Sequence, residues 1–252
     1  MSRSLSLIGA PVETGTHQRG CLMGPDALRT AGIGNALAGL GYRVRDRGNA
    51  TAAPELDVSH PNAAIHNLGE TVGWARALAE MGYHAVRDGD LPVFLGGDHS
   101  ISMGSVPAVA RRAREEGREQ FVLWLDAHPD FHTLDSTNSG NLHGTPVAYF
   151  TGQPGFEPIF PALAATVDPA NVCLFGIRSV DAREQAALAD AGVVVHDMRT
   201  IDEHGVPGLL GAFLERVRSC DGALHVSLDV DFLDPSIAPA VGTTVPGGAT
   251  FR

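Results

Sequence analysis

Apolar residues in this chain gather in short, nearly continuous runs separated by longer stretches in which polar residues recur at helical spacing. The runs at residues 5–9, 44–46, 91–95, 121–126, 172–177, 193–195 and 223–229 predict strands. Because most are apolar throughout rather than alternating, they read as strands covered on both faces. The intervening stretches predict helices over residues 25–38, 62–87, 102–116, 181–189 and 206–219. Pro25 suits a first helical turn, and Gly117 suits a stop after a charged helix end. Residues 135–144 and the Gly/Pro-rich 151–161 read as loops, and the mixed-sign run 111–119 as a solvated helix face. Strand–helix alternation predicts an α/β fold: a mostly parallel open β-sheet with helices on both faces, in a single domain over 1–252. Ligands of such sheets gather beyond the carboxyl ends of the strands. Chemistry is therefore expected just after Leu95, Leu125, Ile177 and Leu228.

Composition narrows the function classes. An apolar fraction of 44% with 19% charged residues fits a folded globular chain, and no run reaches the length of a membrane span. A net charge of −11 disfavours nucleic acid and anionic membrane as partners and suits a cationic small molecule. Residues 1–11 lack a secretory signature, so the expected compartment is the cytoplasm. Cys21, Cys173 and Cys220 are too scattered for a disulfide framework, and reduced thiols in apolar surroundings are expected.

The strand ends carry the informative residues. After the run ending at Leu125 comes Asp126-Ala127-His128-Pro129-Asp130, and after Leu228 comes Asp229-Val230-Asp231. Residues two apart in an extended segment project to the same side, so each set can face one point. After Leu95, Gly96-Gly97-Asp98-His99 allows a tight turn that carries His99 over the sheet edge. A lone aspartate after a strand is an ordinary turn or cap residue, and Asp98 is assigned to that class. Four aspartates and two histidines converging on one region are different, because the carboxylates repel unless a multivalent cation lies among them. Carboxylates with imidazoles and no thiolate suit manganese, with iron(II), cobalt or nickel as other candidates. Six ligands exceed the needs of one four-coordinate ion, whereas two ions sharing bridging carboxylates would use all of them. Such a pair lowers the pKa of a shared water from about 15.7 toward about 7, which points to hydrolysis.

Residues 96–100 (GGDHS), 126–130 (DAHPD) and 227–235 (SLDVDFLDP) resemble the three signature segments of the ureohydrolases, the arginase/agmatinase/formiminoglutamase family. The similarity runs along nearly the whole chain, and residues 139–144 (SGNLHG) look like the arginase branch. The resemblance implies an arginase-like three-layer α/β/α fold and cleavage of L-arginine to L-ornithine and urea by attack of a metal-activated hydroxide. It implies two Mn(2+) ions, one held by His99, Asp126, Asp130 and Asp229, the other by Asp126, His128, Asp229 and Asp231. Asp130 and His143 would be catalytic, His143 as a proton shuttle on a loop. Thr137, Ser139 and Asn141 would contact the substrate's α-carboxylate, Asp181 and Glu184 its α-ammonium, and Thr243 would lie near the guanidinium. His17, His60, His66, His84, His196, His204 and His225, with Asp234, are assigned to structural roles. Trimers or hexamers are the assemblies the resemblance implies.

Two departures from the family pattern leave other readings open. His132 stands where many arginases have Asn, which allows an agmatinase- or guanidinobutyrase-type specificity instead. The sequence stops at Arg252, whereas family members continue through a helix, a strand and a final helix, with a glutamate at the strand end that pairs with the guanidinium. A metal-binding but catalytically silent homologue is the reading that this second departure allows.

Overall fold

A computed structural model describes residues 3–251. Its strands are β1 (Ser4–Gly9), β2 (Arg43–Asn49), β3 (Leu91–Leu95), β4 (Gln120–Leu125), β5 (Val172–Ile177), β6 (Val194–Asp197) and β7 (Ala223–Leu228). Its helices are α1 (Gly24–Thr30), α2 (Ile33–Gly39), α3 (Leu68–Arg87), α4 (Ser102–Glu115), α5 (Pro146–Phe150), α6 (Ala182–Ala191), α7 (Met198–His204) and α8 (Val206–Ser219). Every strand pair is parallel, as the alternation requires. The expected single sheet is laid out as two, in the orders β2-β1-β3 and β6-β5-β4-β7. Among the described residues, β3 ladders only to β1 and β7 only to β4, so each keeps one edge without a partner strand.

The strand alternation sorts side chains to two faces. Val122 and Trp124 of β4, with Val172 and Leu174 of β5, pack against Val72 of α3, Met103 and Val106 of α4, and Phe150 of α5. The intervening Phe121, Leu123, Cys173 and Phe175 pack on the other side against Ile201 of α7 and Phe213 and Val217 of α8. Each large side chain buried in this way contributes roughly 1.5–3 kcal/mol. Around β1, Ile8 packs with Leu78 and Ala85 of α3. The order-setting core is thus a helix–sheet–helix sandwich whose strand ends all point the same way.

The predicted helix over 25–38 is two helices, because Gly32 takes a left-handed φ of 88° between them. The helix predicted from residue 62 begins at Leu68. Residues 62–67 stay out of it because their polar side chains are engaged elsewhere. Asn62 Nδ2 donates to the carbonyls of Leu134 and Thr137, and Asn67 Nδ2 to that of Thr14. Helices α5 and α7 were not predicted; the first opens on Pro146 and the second on Asp197, whose side chain caps the Thr200 N–H. The three cysteines are free, but Cys220 is exposed and Cys21 half-buried, so only Cys173 has the apolar surroundings expected of all three.

Candidate metal centre

The segments after β3, β4 and β7 meet beyond the strand ends. After β3 the backbone passes so close to the loop after β1 that a Cβ on Gly97 would lie 2.5 Å from the Val12 carbonyl oxygen and 2.6 Å from that of Ala10. Asp98 accepts from the N–H groups of Ser100 and Gly15 at 2.9 and 2.8 Å, which is the turn role expected of it. That turn delivers His99 inward, buried, with its ring stacked on Trp124 at a centroid distance of 4.0 Å. Following β4, Asp126 accepts from the Trp124 indole N–H at 2.9 Å and from the His128 backbone at 2.7 Å. Asp130 holds a φ of 49°, a left-handed backbone unusual for a residue other than glycine. Past β7, Asp229 caps the Asp231 N–H at 2.9 Å, and Asp231 accepts from the Ala127 N–H at 3.1 Å.

His99 Nδ1 lies 2.9 Å from Asp126, 3.2 Å from Asp130 and 3.2 Å from Asp229. Although buried, this nitrogen has no hydrogen bond of acceptable direction with any of them. A ring nitrogen directed between three carboxylates, in line with none of them, has the geometry of a cation ligand. Nε2 on the opposite side of the ring is 2.8 Å from the Ser227 hydroxyl, which fixes the ring's orientation. A second set lies alongside: His128 Nδ1 is 3.1 Å from Asp231 and 3.6 Å from Asp126. Two groups with the spacing of cation ligands emerge, His99–Asp126–Asp130 and Asp126–His128–Asp231, sharing Asp126. Asp229 joins the first through His99; its place in the second, which the resemblance implies, is not among the short distances.

Crowding of carboxylates and imidazoles shifts the proton affinities of the cluster in both directions. Burial and the charge of Asp126 push Asp130 up to about 8, and burial raises Asp126 as well. Burial works against charge on His128, but Asp126 and Asp231 outweigh it and lift the imidazole to about 11. The same pairing, against burial, brings Asp231 down to about 2. His99 is raised too, its three carboxylates overcoming its own desolvation. Divalent cations would supply positive charge among these converging carboxylates, so the residues fit a metal centre.

The predicted substrate residues form two groups. His132 Nε2 is 3.1 Å from Asp181 and 3.7 Å from Glu184, while its Nδ1 meets the Ser136 hydroxyl at 3.1 Å. Asp181 caps α6 through the N–H groups of Arg183 and Glu184, and Glu184 is buried, with one oxygen accepting from the Phe131 N–H at 2.8 Å. In the second group, Thr137 is buried and its hydroxyl accepts from the Gly140 N–H, Ser139 accepts from the Asn141 N–H, and Asn141 Oδ1 is 2.7 Å from His17 Nδ1. His143 follows in a single turn, its backbone N–H donating to Gly15. Burial lowers the pKa of its imidazole, which faces the charges of Asp98, Asp229, His99 and His128. Thr243 donates its hydroxyl proton to Asp231 at 2.9 Å.

Sequence reasoning missed the residues that hold this framework. Arg178, just past β5, donates to the backbone carbonyls of Asp231, Leu233 and Val245 and pins the segment after β7. Its position at a carboxyl strand end was the available signal. Trp124 and Ser227, read as strand residues, grip Asp126 and His99.

The chain is similar along its length to known proteins. The family model described as the Arginase family matches residues 3–252. The arginase of Brucella melitensis is 61% identical over 246 residues, 98% of this chain and 80% of that protein. The solved arginase of Bacillus caldovelox superposes with a TM-score of 0.88 at 33% identity, covering 100% of this chain and 83% of that one. The arginase of Entamoeba histolytica, solved in complex with L-ornithine, gives 0.85 at 27% identity over 99% and 84% of the two chains. The shared fold and a family match along nearly every residue agree, and this chain belongs to the arginase family.

Proposed function

We propose that this protein hydrolyses the guanidino group of L-arginine to L-ornithine and urea, with two manganese ions per subunit. The carrying observation is the buried His99 Nδ1, ringed by three carboxylates at 2.9–3.2 Å yet without a hydrogen bond. His99, Asp126, Asp130 and Asp229 would hold one ion; Asp126, His128, Asp229 and Asp231 would hold the other. When bound, such a pair supplies a water acidified toward neutral pKa as the nucleophile.

The remaining work falls to this chain's side chains. Asp130 would accept a hydrogen bond from the nucleophile and keep it aimed. His143, whose burial favours the neutral imidazole, takes up and returns a proton on the way to the leaving amine. Asp181 and Glu184 receive the α-ammonium, Thr137, Ser139 and Asn141 the α-carboxylate, and Thr243 steadies Asp231 beside the guanidinium. The negative charge of the chain favours a cationic substrate. Arginases among its relatives, at 61% identity, support this reading over others in the family. Assembly into trimers or hexamers and a cytoplasmic setting belong to the same proposal.

One observation favours a second reading. His132 already occupies hydrogen-bonding range of Asp181, an acid the α-ammonium would use, so a guanidine without an α-amino group would give up less here. Urea release by manganese-loaded protein from L-arginine, agmatine and guanidinobutyrate, with metal analysis of the same sample, decides between them. L-Arginine should be the best substrate, at two manganese per chain. Urea from agmatine or guanidinobutyrate with none from arginine reassigns the substrate, and metal uptake with no urea from any of them removes the activity.

A further inference from the structure

His17, on the loop after β1, stands outside the residues given a role above. Its Nδ1 is 2.7 Å from Asn141 Oδ1, and its ring lies on that of His66 with centroids 3.8 Å apart. Both nitrogens of His66 are buried without a hydrogen-bond partner, so this imidazole acts as a packing surface and limits how His17 can turn. The same loop is tied to the site at two more points: Gly15 donates its N–H to Asp98 and accepts from the N–H of His143. Asn141 Nδ2 has no hydrogen-bond partner among the described residues.

An asparagine amide has an acceptor end and a donor end of nearly the same shape, and an unrestrained one presents either. Only the donor end helps a carboxylate; the oxygen would repel it. We infer that His17 is a positioning residue that fixes the Asn141 amide, its Nδ1–H donating to Oδ1 so that the Nδ2 hydrogens remain for a substrate carboxylate. His17 thereby selects substrates that carry an α-carboxylate without touching them. This rests on the reading of Asn141 as a carboxylate contact, and the experiment keeps the two apart.

The probes are L-ornithine, which has the carboxylate, and 1,4-diaminobutane, which lacks it, titrated calorimetrically into manganese-loaded protein. His17→Phe keeps a ring on His66 but removes the donor, and His17→Gln restores a donor. His17→Phe should weaken ornithine roughly 2- to 10-fold, the worth of one neutral hydrogen bond, and leave diaminobutane unchanged. His17→Gln should recover most of the loss, and His17→Phe added to Asn141→Ala should cost nothing more than Asn141→Ala alone. With arginine, the change should fall on KM rather than kcat. Equal weakening of both probes, or additive losses in the double variant, overturns the inference. Asn141→Ala weakening ornithine while His17→Phe does not sinks the role of His17 alone. Ornithine binding untouched by Asn141→Ala removes the carboxylate reading and this inference with it.

Discussion

The hydroxyl of Ser227 makes the smallest contact on which the metal centre depends. It meets His99 Nε2 at 2.8 Å and leaves Nδ1 on the side of the carboxylates. Ser227→Ala should lower metal affinity roughly 10- to 100-fold while leaving all six ligands in place, measured by competition with a fluorescent chelator. Unchanged affinity would show that Trp124 stacking alone orients the ring. Protonation supplies a second prediction. His128, held near 11, and Asp130, held near 8, carry protons at pH 7 in the unliganded cluster, and His99 is raised as well. Metal binding must displace those protons, so affinity should rise with pH and weaken as pH falls. Calorimetry in buffers of different ionisation enthalpy should detect at least one proton released per chain at pH 7; a pH-independent affinity contradicts the proton inventory.

Element geometry decides whether the ligand-bearing segments converge. The Gly96-Gly97 turn works because the chain after β3 runs against the carbonyls of Ala10 and Val12. Gly97→Ala should force the turn outward, costing about 1–3 kcal/mol in urea denaturation and displacing His99, so that metal binding falls more than stability does. Much of this scale was legible in the sequence. Strand β3 and helix α8 lie where the apolar pattern put them, and the paired spacing Asp126–His128–Asp130 and Asp229–Asp231 located the cluster, because a strand end leaves little freedom in where alternate side chains point. What the sequence withheld was set by distant contacts. Asn62 looks like an early helix residue but is drawn away by carbonyls of residues 134 and 137. The bond from His17 to Asn141 joins positions 124 apart, and no local pattern announces it. Arg178 stayed hidden for the same reason, since its partners are backbone carbonyls that every sequence contains.

Over the whole molecule, two sheets lean on one cluster of charges, so cation binding should be felt as global stability. Manganese at a hundred times its Kd should add about 2.7 kcal/mol and raise Tm by roughly 5–10 °C for each site filled, with a chelator reversing it in differential scanning fluorimetry. An identical melting curve with and without metal would disconnect the cluster from folding. The two ends of the site are also mechanically joined. Glu184 holds one carboxylate oxygen 3.7 Å from His132 and the other on the N–H of Phe131, the peptide that follows Asp130. In the proposed reaction, a ligand that tugs on the first oxygen would transmit the pull through a single planar group to Asp130. Guanidino compounds that bind but leave Glu184 slack should then be held and yet turned over slowly, which would place part of the selectivity in the chemical step.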